Sequence, residues 1–208
     1  MHLPSIEIIL PLFVVLILSL SFHEAAHAWT ADQLGDPTAR HLGRLTLNPL
    51  AHIDWIGTVL FPLIAMFSGL PLLGWAKPVP VNSANLRSPR RDFAIVALAG
   101  PVSNIILAVG AAIIMKALEM ADLLPLSMGT MMLARAVSLN VLLAVFNMLP
   151  VPPLDGGNVL MGVVPEGAAR VIDRLRPYGI IILYALMFTN VLGSIVFPIQ
   201  GAILRWLQ

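Results

Sequence analysis

The sequence contains no cysteine. Disulfides, thiolate zinc sites and lipidated thiols are therefore excluded, and any metal must be held by histidine and carboxylate. Charge is scarce as well: 11% of the 208 residues are Asp, Glu, Lys or Arg, against roughly a quarter in soluble domains. The 12 basic and 11 acidic residues nearly cancel, so the chain carries no electrostatic footprint for nucleic acid, and none is expected as a partner. No polar stretch is long enough for a separate soluble domain, and residues 1–208 are expected to form a single integral membrane domain.

What is present is apolar. Hydrophobic residues make up 58% of the chain and the mean hydropathy is +0.89. Several runs exceed the ~18 residues that mark a membrane-spanning helix, so the expected fold is an all-α polytopic membrane protein with about four to six transmembrane helices in a lipid bilayer. The first run extends from Ser5, a plausible N-cap, to about Asp32, with Gly35, Asp36 and Pro37 as the stop. It has no basic leader and no small-residue cleavage site, which predicts a retained helix and not a signal peptide. Later runs cover Phe93 to about Leu118, about Met128 to Leu154, interrupted by Pro150, Pro152 and Pro153, and Ile180 to Phe197, and the tail with Arg205 and Trp206 is expected to lie at the interface. Two short stretches, near 42–48 and 76–82, have extended or β-like character.

Residues 53–76 are different. Pro62, Gly69, Pro71 and Gly74 interrupt them. Arg40 and Arg44 precede this segment, Lys77, Arg87, Arg90 and Arg91 follow it, and Arg170, Arg174 and Arg176 form a third basic group. The positive-inside rule assigns all three groups to the cytoplasm. A segment joining two cytoplasmic loops cannot cross once, so 53–76 is expected to re-enter or bend back, which is tolerated where protein or a water-filled cavity covers the backbone.

Chemistry is concentrated in "FHEAAHAW". His23 and His27 are spaced i, i+4, which puts both imidazoles on one helix face, able to bind one Zn²⁺, with Glu24 beside them. Zinc makes water acidic enough to lose a proton near neutral pH, and a glutamate can take that proton and return it to a leaving amine. The bland alternative, two packing histidines and a surface glutamate, is weak inside lipid, where an unpartnered carboxylate is expensive. A catalytic zinc needs a third protein ligand, for which Asp155, Asp54, His41 and His52 are candidates. Asp155 is favoured because it ends an apolar run, where a carboxylate needs a cation, although an aspartate before two glycines also suits a turn. At ~1.5 Å per residue, Asp155 and His23 reach the same depth only if the first and fourth runs point the same way, which a non-crossing second segment allows. Gly100, Pro101 and Asn104 are expected to support close helix packing and need no catalytic role.

"HEAAH", "ALAGPVSN" and "NMLPVPPLDGG" together resemble the site-2 protease family of intramembrane zinc metalloproteases, whose second motif reads N-x-x-P-x-P-x-L-D-G. Asn147, Pro150, Pro152, Leu154, Asp155 and Gly156 fill its fixed positions, and "GRLTLNPLAHID" and "GWAKPVPVN" are similar to the compact branch, so the resemblance covers about residues 20–160. Trp55 departs from the proline of relatives. The resemblance implies one Zn²⁺ per chain held by His23, His27 and Asp155, with Glu24 as general base and Asn147 stabilising the substrate carbonyl or holding its backbone. It also implies a multi-pass protein of the cell membrane, active near the cytoplasmic side, without a PDZ or nucleotide-sensing domain. Its substrates would be transmembrane proteins or peptides cut within or near their spans, in regulated proteolysis or clearance of signal-peptide remnants.

Such a substrate must unwind before cleavage, because a helix hides its backbone in its own hydrogen bonds. Strand addition to "GRLTLN", through Thr46, is the expected binding mode, preferred over "KPVPVN" because prolines limit pairing there. The alternatives from other classes are a non-catalytic metal-binding scaffold and a metal or ion transporter. The first is disfavoured by the intact Glu24, the second by the near absence of ionisable groups along the other spans.

Overall fold

Lipid offers no partner to a bare N–H or C=O, so the apolar runs close their hydrogen bonds internally as helices. The computed structural model describes residues 6–68, 74–121 and 128–207. Ser5, Gly69 and Pro71, invoked above as a cap and as breakers, lie outside them. Among the described residues three helices are long and apolar enough to cross a membrane: α1 (Ile6–Gln33), α4 (Pro89–Met120) and α5 (Met128–Asn147). Between the first two lie the short α2 (Thr38–His41) and α3 (Phe61–Ser68). After α5 come α6 (Asp155–Val163), α7 (Glu166–Leu175), α8 (Gly179–Phe188) and α9 (Val191–Leu207). The chain through α7 and α8 meets α9 at a bend of 78°, and counting that pair as one span gives four, the lower end of the expected range.

The start of α4 is written in its sequence. Ser88 is the N-cap, Pro89 occupies the first turn, and the Asp92 carboxylate accepts the Ser88 N–H at 2.7 Å. Small buried residues, Ala97, Gly100, Ala108, Ala111 and Ala112, line its inner face, which lets neighbouring backbones approach closely. His23 and His27 of α1 meet Asn104 and Val96 of α4, so the numbering of the two helices runs in opposite senses. On the other side Ala108 packs with Val141 and Val145, and Ala111 and Ala112 pack with Val137, again in opposite senses. Helices α1 and α5 therefore point the same way, as depth matching of His23 and Asp155 requires.

The described ends of residues 53–76 lie side by side. Asp54 caps a wide helical turn (Trp55–Leu60) by accepting the N–H groups of Ile56 and Gly57, and α3 continues it. The returning chain then bonds to the entering one: Trp75 N–H to Gly57 O at 3.1 Å, Thr58 Oγ1 to Trp75 O at 2.7 Å, and Lys77 N–H to His52 O at 2.9 Å. Entry and exit are adjacent, so this segment returns to the level at which it started.

Three expectations change. Helix α5 stops at Asn147 and not at Leu154, because Pro150, Pro152 and Pro153 cannot continue the ladder. Tight turns, with Val151 N–H bonded to Leu149 O and Leu154 N–H to Val151 O, deliver Asp155 as the first residue of α6. The run from Ile180 to Phe197 is broken at Asn190, whose φ of 59° lies outside helical space. Helix α9 packs on α5 through Gln200 Nε2 to Ser138 O at 3.0 Å and carries the exposed Arg205 and Trp206 of the tail. Neither 42–48 nor 76–82 pairs as a strand among the described residues. Pro78 and Pro80 have no N–H to give, and the N–H groups of Lys77, Val79 and Asn82 bond to His52 O, the Glu24 carboxylate and the Asp36 carboxylate. We call residues 74–82 the strap.

Candidate metal centre

One helical turn separates His23 from His27, and both are buried against α4. The His23 Nδ1–H donates to Asn104 Oδ1 at 2.7 Å, and the His27 Nδ1–H donates to Val96 O at 2.7 Å. Both acceptors lack a hydrogen to offer, so each imidazole carries its proton on Nδ1 and leaves a bare lone pair on Nε2. The two Nε2 atoms lie 3.1 Å apart. Across from them, Asp155 places one carboxylate oxygen 3.1 Å from His23 Nε2 and the other 3.5 Å from His27 Nε2.

These approaches set lone pair against lone pair. Asp155 Oδ2 is buried without a hydrogen-bond donor among the described residues, and ligand atoms of all three residues lie within 4.8 Å of one another. A cation between them turns repulsion into coordination, and a two-imidazole, one-carboxylate set is suited to zinc with a position left open. Two glycines make room. A Cβ on Gly100 would sit 2.6 Å from His23 Nε2 and would overlap His27 Nε2 as well. A Cβ on Gly156 would strike the Met148 carbonyl, which lies where the chain leaving α5 passes the start of α6. Pro101 is buried in α4 one residue beyond Gly100.

Glu24 follows His23 on α1, and its Oε2 accepts the Val79 N–H of the strap at 2.8 Å. Its other oxygen makes no hydrogen bond among the described residues. His23, Glu24, His27 and Asp155 border one cavity of about 630 Å³, together with Asn147 and much of the strap. The rest of the wall is mostly apolar, including Phe93, Leu143 and Phe146.

Asn147 lines this cavity, but its amide donates to Leu143 O at 3.0 Å within its own helix. Thr46 is not among the lining residues. Its hydroxyl accepts the Asn48 N–H and its carbonyl pairs with His52 Nε2, so the strap, and not "GRLTLN", borders the site. The other candidate ligands stand elsewhere: Asp54 caps a helix, His52 is held by the Thr46 carbonyl, and His41 is exposed at the end of α2. Asn104, expected only to pack, bonds directly to a histidine of the site. Val79 and Val96 act through backbone atoms, which leave no trace in a sequence. Asn140, an amide inside the apolar run "VSLNVLLAVF", did leave a signal, because polar groups in a membrane span need a partner.

The chain is 40% identical over 195 residues to "Putative zinc metalloprotease YwhC" of Bacillus subtilis, an alignment covering 92% of this chain and 86% of that protein. A family model described as Peptidase family M50 matches residues 121–189. The chain belongs to peptidase family M50, the site-2 protease family. A second relative, "Putative zinc metalloprotease Rip2" of Mycolicibacterium smegmatis, is 30% identical over 187 residues, covering 85% of this chain and 66% of its own length. "Putative zinc metalloprotease CPE1693" of Clostridium perfringens is 38% identical over 66 residues, 29% of this chain and 20% of its own. No solved structure matches the chain. As an M50 peptidase the protein is a membrane metalloprotease, and its cofactor is Zn²⁺.

Proposed function

We propose that this M50 peptidase cleaves peptide bonds within or near the transmembrane segments of membrane proteins or peptides, with His23, His27 and Asp155 as its zinc ligands and Glu24 as general base. One observation carries the reading: two imidazole nitrogens and a carboxylate converge beside Glu24 at a cavity between helices long enough to span a bilayer. When bound, the zinc ion supplies Lewis acidity, polarising a substrate carbonyl and making water acidic enough to be deprotonated near neutral pH. Val79 N–H holds one Glu24 oxygen, which orients the carboxylate and leaves the second oxygen to take a proton and pass it to the leaving amine. Asn147 is a further polar group on the cavity wall, and its amide could serve a substrate backbone once its intrahelical bond is released.

The apolar lining suits a substrate from lipid, and an unwound substrate strand needs backbone partners. The strap is the better edge for such strand addition, since Trp75, Ala76, Pro78, Val79 and Val81 border the cavity and a proline such as Pro78 keeps its carbonyl as an acceptor. The three basic loops support a mouth on the cytoplasmic face of a multi-pass cell-membrane protein, an arrangement in which water reaches the site without crossing lipid. Both regulated intramembrane proteolysis and clearance of signal-peptide remnants fit this substrate class.

The test is purification of wild type and Glu24→Gln with assay of bound zinc and of cleavage of a single-span substrate. Zinc retained with cleavage lost supports the proposal. Equal cleavage by both proteins sinks it.

A further inference from the structure

The structure assigns Asn140 of α5 as a positioning residue for the metal centre, acting through Asn104 on His23. Neither Asn140 nor its partner Ser19 belongs to the motifs that carry the family resemblance. The inference rests on His23 being a zinc ligand.

Ser19 of α1, Asn140 of α5 and Asn104 of α4 form one buried chain of hydrogen bonds that ends on His23. Their exposures are 3%, 2% and 0%, and His23 is 5% exposed. Asn140 Nδ2 donates to Ser19 Oγ at 2.9 Å and to Ala136 O at 2.9 Å. An amide NH₂ has two donors, and both are committed. Asn140 Oδ1 is therefore left as an acceptor, and Asn104 Nδ2 fills it at 2.8 Å, with a longer contact to Ser19 O at 3.5 Å. That choice turns Asn104 Oδ1 toward His23, where it accepts the Nδ1–H at 2.7 Å. Donor and acceptor counting runs one way along the chain and ends with a bare His23 Nε2 aimed at the zinc position.

The apolar setting gives the chain its force. An Asn104 amide rotated by half a turn would set its NH₂ against the His23 Nδ1–H and its oxygen against Asn140 Oδ1, leaving buried groups without partners where no water can relieve them. A metal-ligating histidine depends on its outer partner for orientation and basicity, and loss of such a partner weakens binding by about 10- to 100-fold. Asn104 is that partner, and Asn140 decides which end of Asn104 faces His23.

The experiment compares zinc affinity, by chelator competition on the full chain, in wild type, Asn140→Leu, Asn140→Asp and His23→Ala. Asn140→Leu removes the acceptor and should weaken zinc by about 10- to 100-fold. Asn140→Asp keeps an acceptor facing Asn104 and should bind zinc more tightly than Asn140→Leu. A purely structural role predicts the opposite order, since a buried carboxylate disturbs packing at least as much as leucine does. A second readout is the NMR resonance of the His23 Nδ1–H in zinc-loaded, ¹⁵N-histidine-labelled protein. It should lie downfield and protected from exchange in wild type and shift upfield in Asn140→Leu, while the His27 Nδ1–H, bonded to Val96 O, stays in place. Zinc affinity unchanged in Asn140→Leu, or Asn140→Asp weaker than Asn140→Leu, overturns the inference. If Asn140→Leu does not fold, a freely exchanging His23 Nδ1–H in the wild-type protein overturns it alone. Undiminished zinc affinity in His23→Ala would instead remove the metal-ligand reading on which the inference rests.

Discussion

The backbone N–H of Val79 donates to Glu24 Oε2 at 2.8 Å, linking the strap to α1 across 55 positions. Val79 stands between two prolines, so it is the one residue of "PVP" able to make that bond. Removing it with Val79→Pro deletes a charge-assisted hydrogen bond of about 1.5–3 kcal/mol, or about 10- to 150-fold in kcat if Glu24 orientation governs proton transfer. Zinc content should stay at the wild-type level, and Val79→Ala should cleave normally. Activity of Val79→Pro equal to that of Val79→Ala would refute the positioning role.

Gly100→Ala puts a methyl group against both imidazole Nε2 atoms. Overpacking of about 1–3 kcal/mol corresponds to about 5- to 150-fold weaker zinc binding. Helix content by circular dichroism should be unchanged, because alanine favours the helix more than glycine does. Zinc titration of the purified variant checks this, with Gly110→Ala, where a Cβ meets nothing within 4 Å, as the control.

Asp36 makes a pH-sensitive joint at the end of α1. It is fully buried, and its carboxylate accepts from Thr38, Asn85 and the Asn82 N–H. Burial pushes its pKa up, but the hydrogen bonds from Thr38, Asn85 and Asn82 outweigh this and hold it below the ordinary value of 3.8. A group with a lowered folded-state pKa adds stability that is present above the ordinary value and lost as pH falls through the folded one. Thermal unfolding in detergent should therefore fall more steeply below about pH 4 in wild type than in Asp36→Asn. Parallel curves would contradict the assignment.

Leu154 borders the cavity, and the native chain has no cysteine to compete for a thiol reagent. In Leu154→Cys a membrane-impermeant maleimide added from the cytoplasmic side should label the protein, and zinc should slow the reaction. Labelling from the opposite face alone would invert the proposed topology.

Helix identity was legible because its signal is local. Apolar runs in lipid have one economical backbone solution, and the first, third and fourth runs become α1, α4 and α5 with ends shifted by a turn or two. Local features set the ends: the prolines that interrupt the fourth run stop α5 at Asn147, and Asn190 breaks the run from α8 into α9. Which backbone borders the cavity was not legible, for a different reason. "GRLTLN" has the better strand pattern, but which backbone borders the cavity depends on how residues 53–76 fold back, and no pattern in 42–48 records that.

The sequence by itself determined the membrane setting, the exclusion of thiolate ligands, and the pairing of His23 and His27 on one helix face, because each follows from composition or from helical period. It also singled out Asp155, since a carboxylate at the end of an apolar run needs a cation. Tertiary structure alone decided the order of hydrogen bonds behind the site. Whether Asn104 presents its oxygen or its NH₂ to His23 depends on Asn140 and Ser19, which reach it from two other helices. Residues 36 and 85 positions away can act on Asn104 only once packing has brought α1, α4 and α5 together and excluded the water that would otherwise satisfy either arrangement.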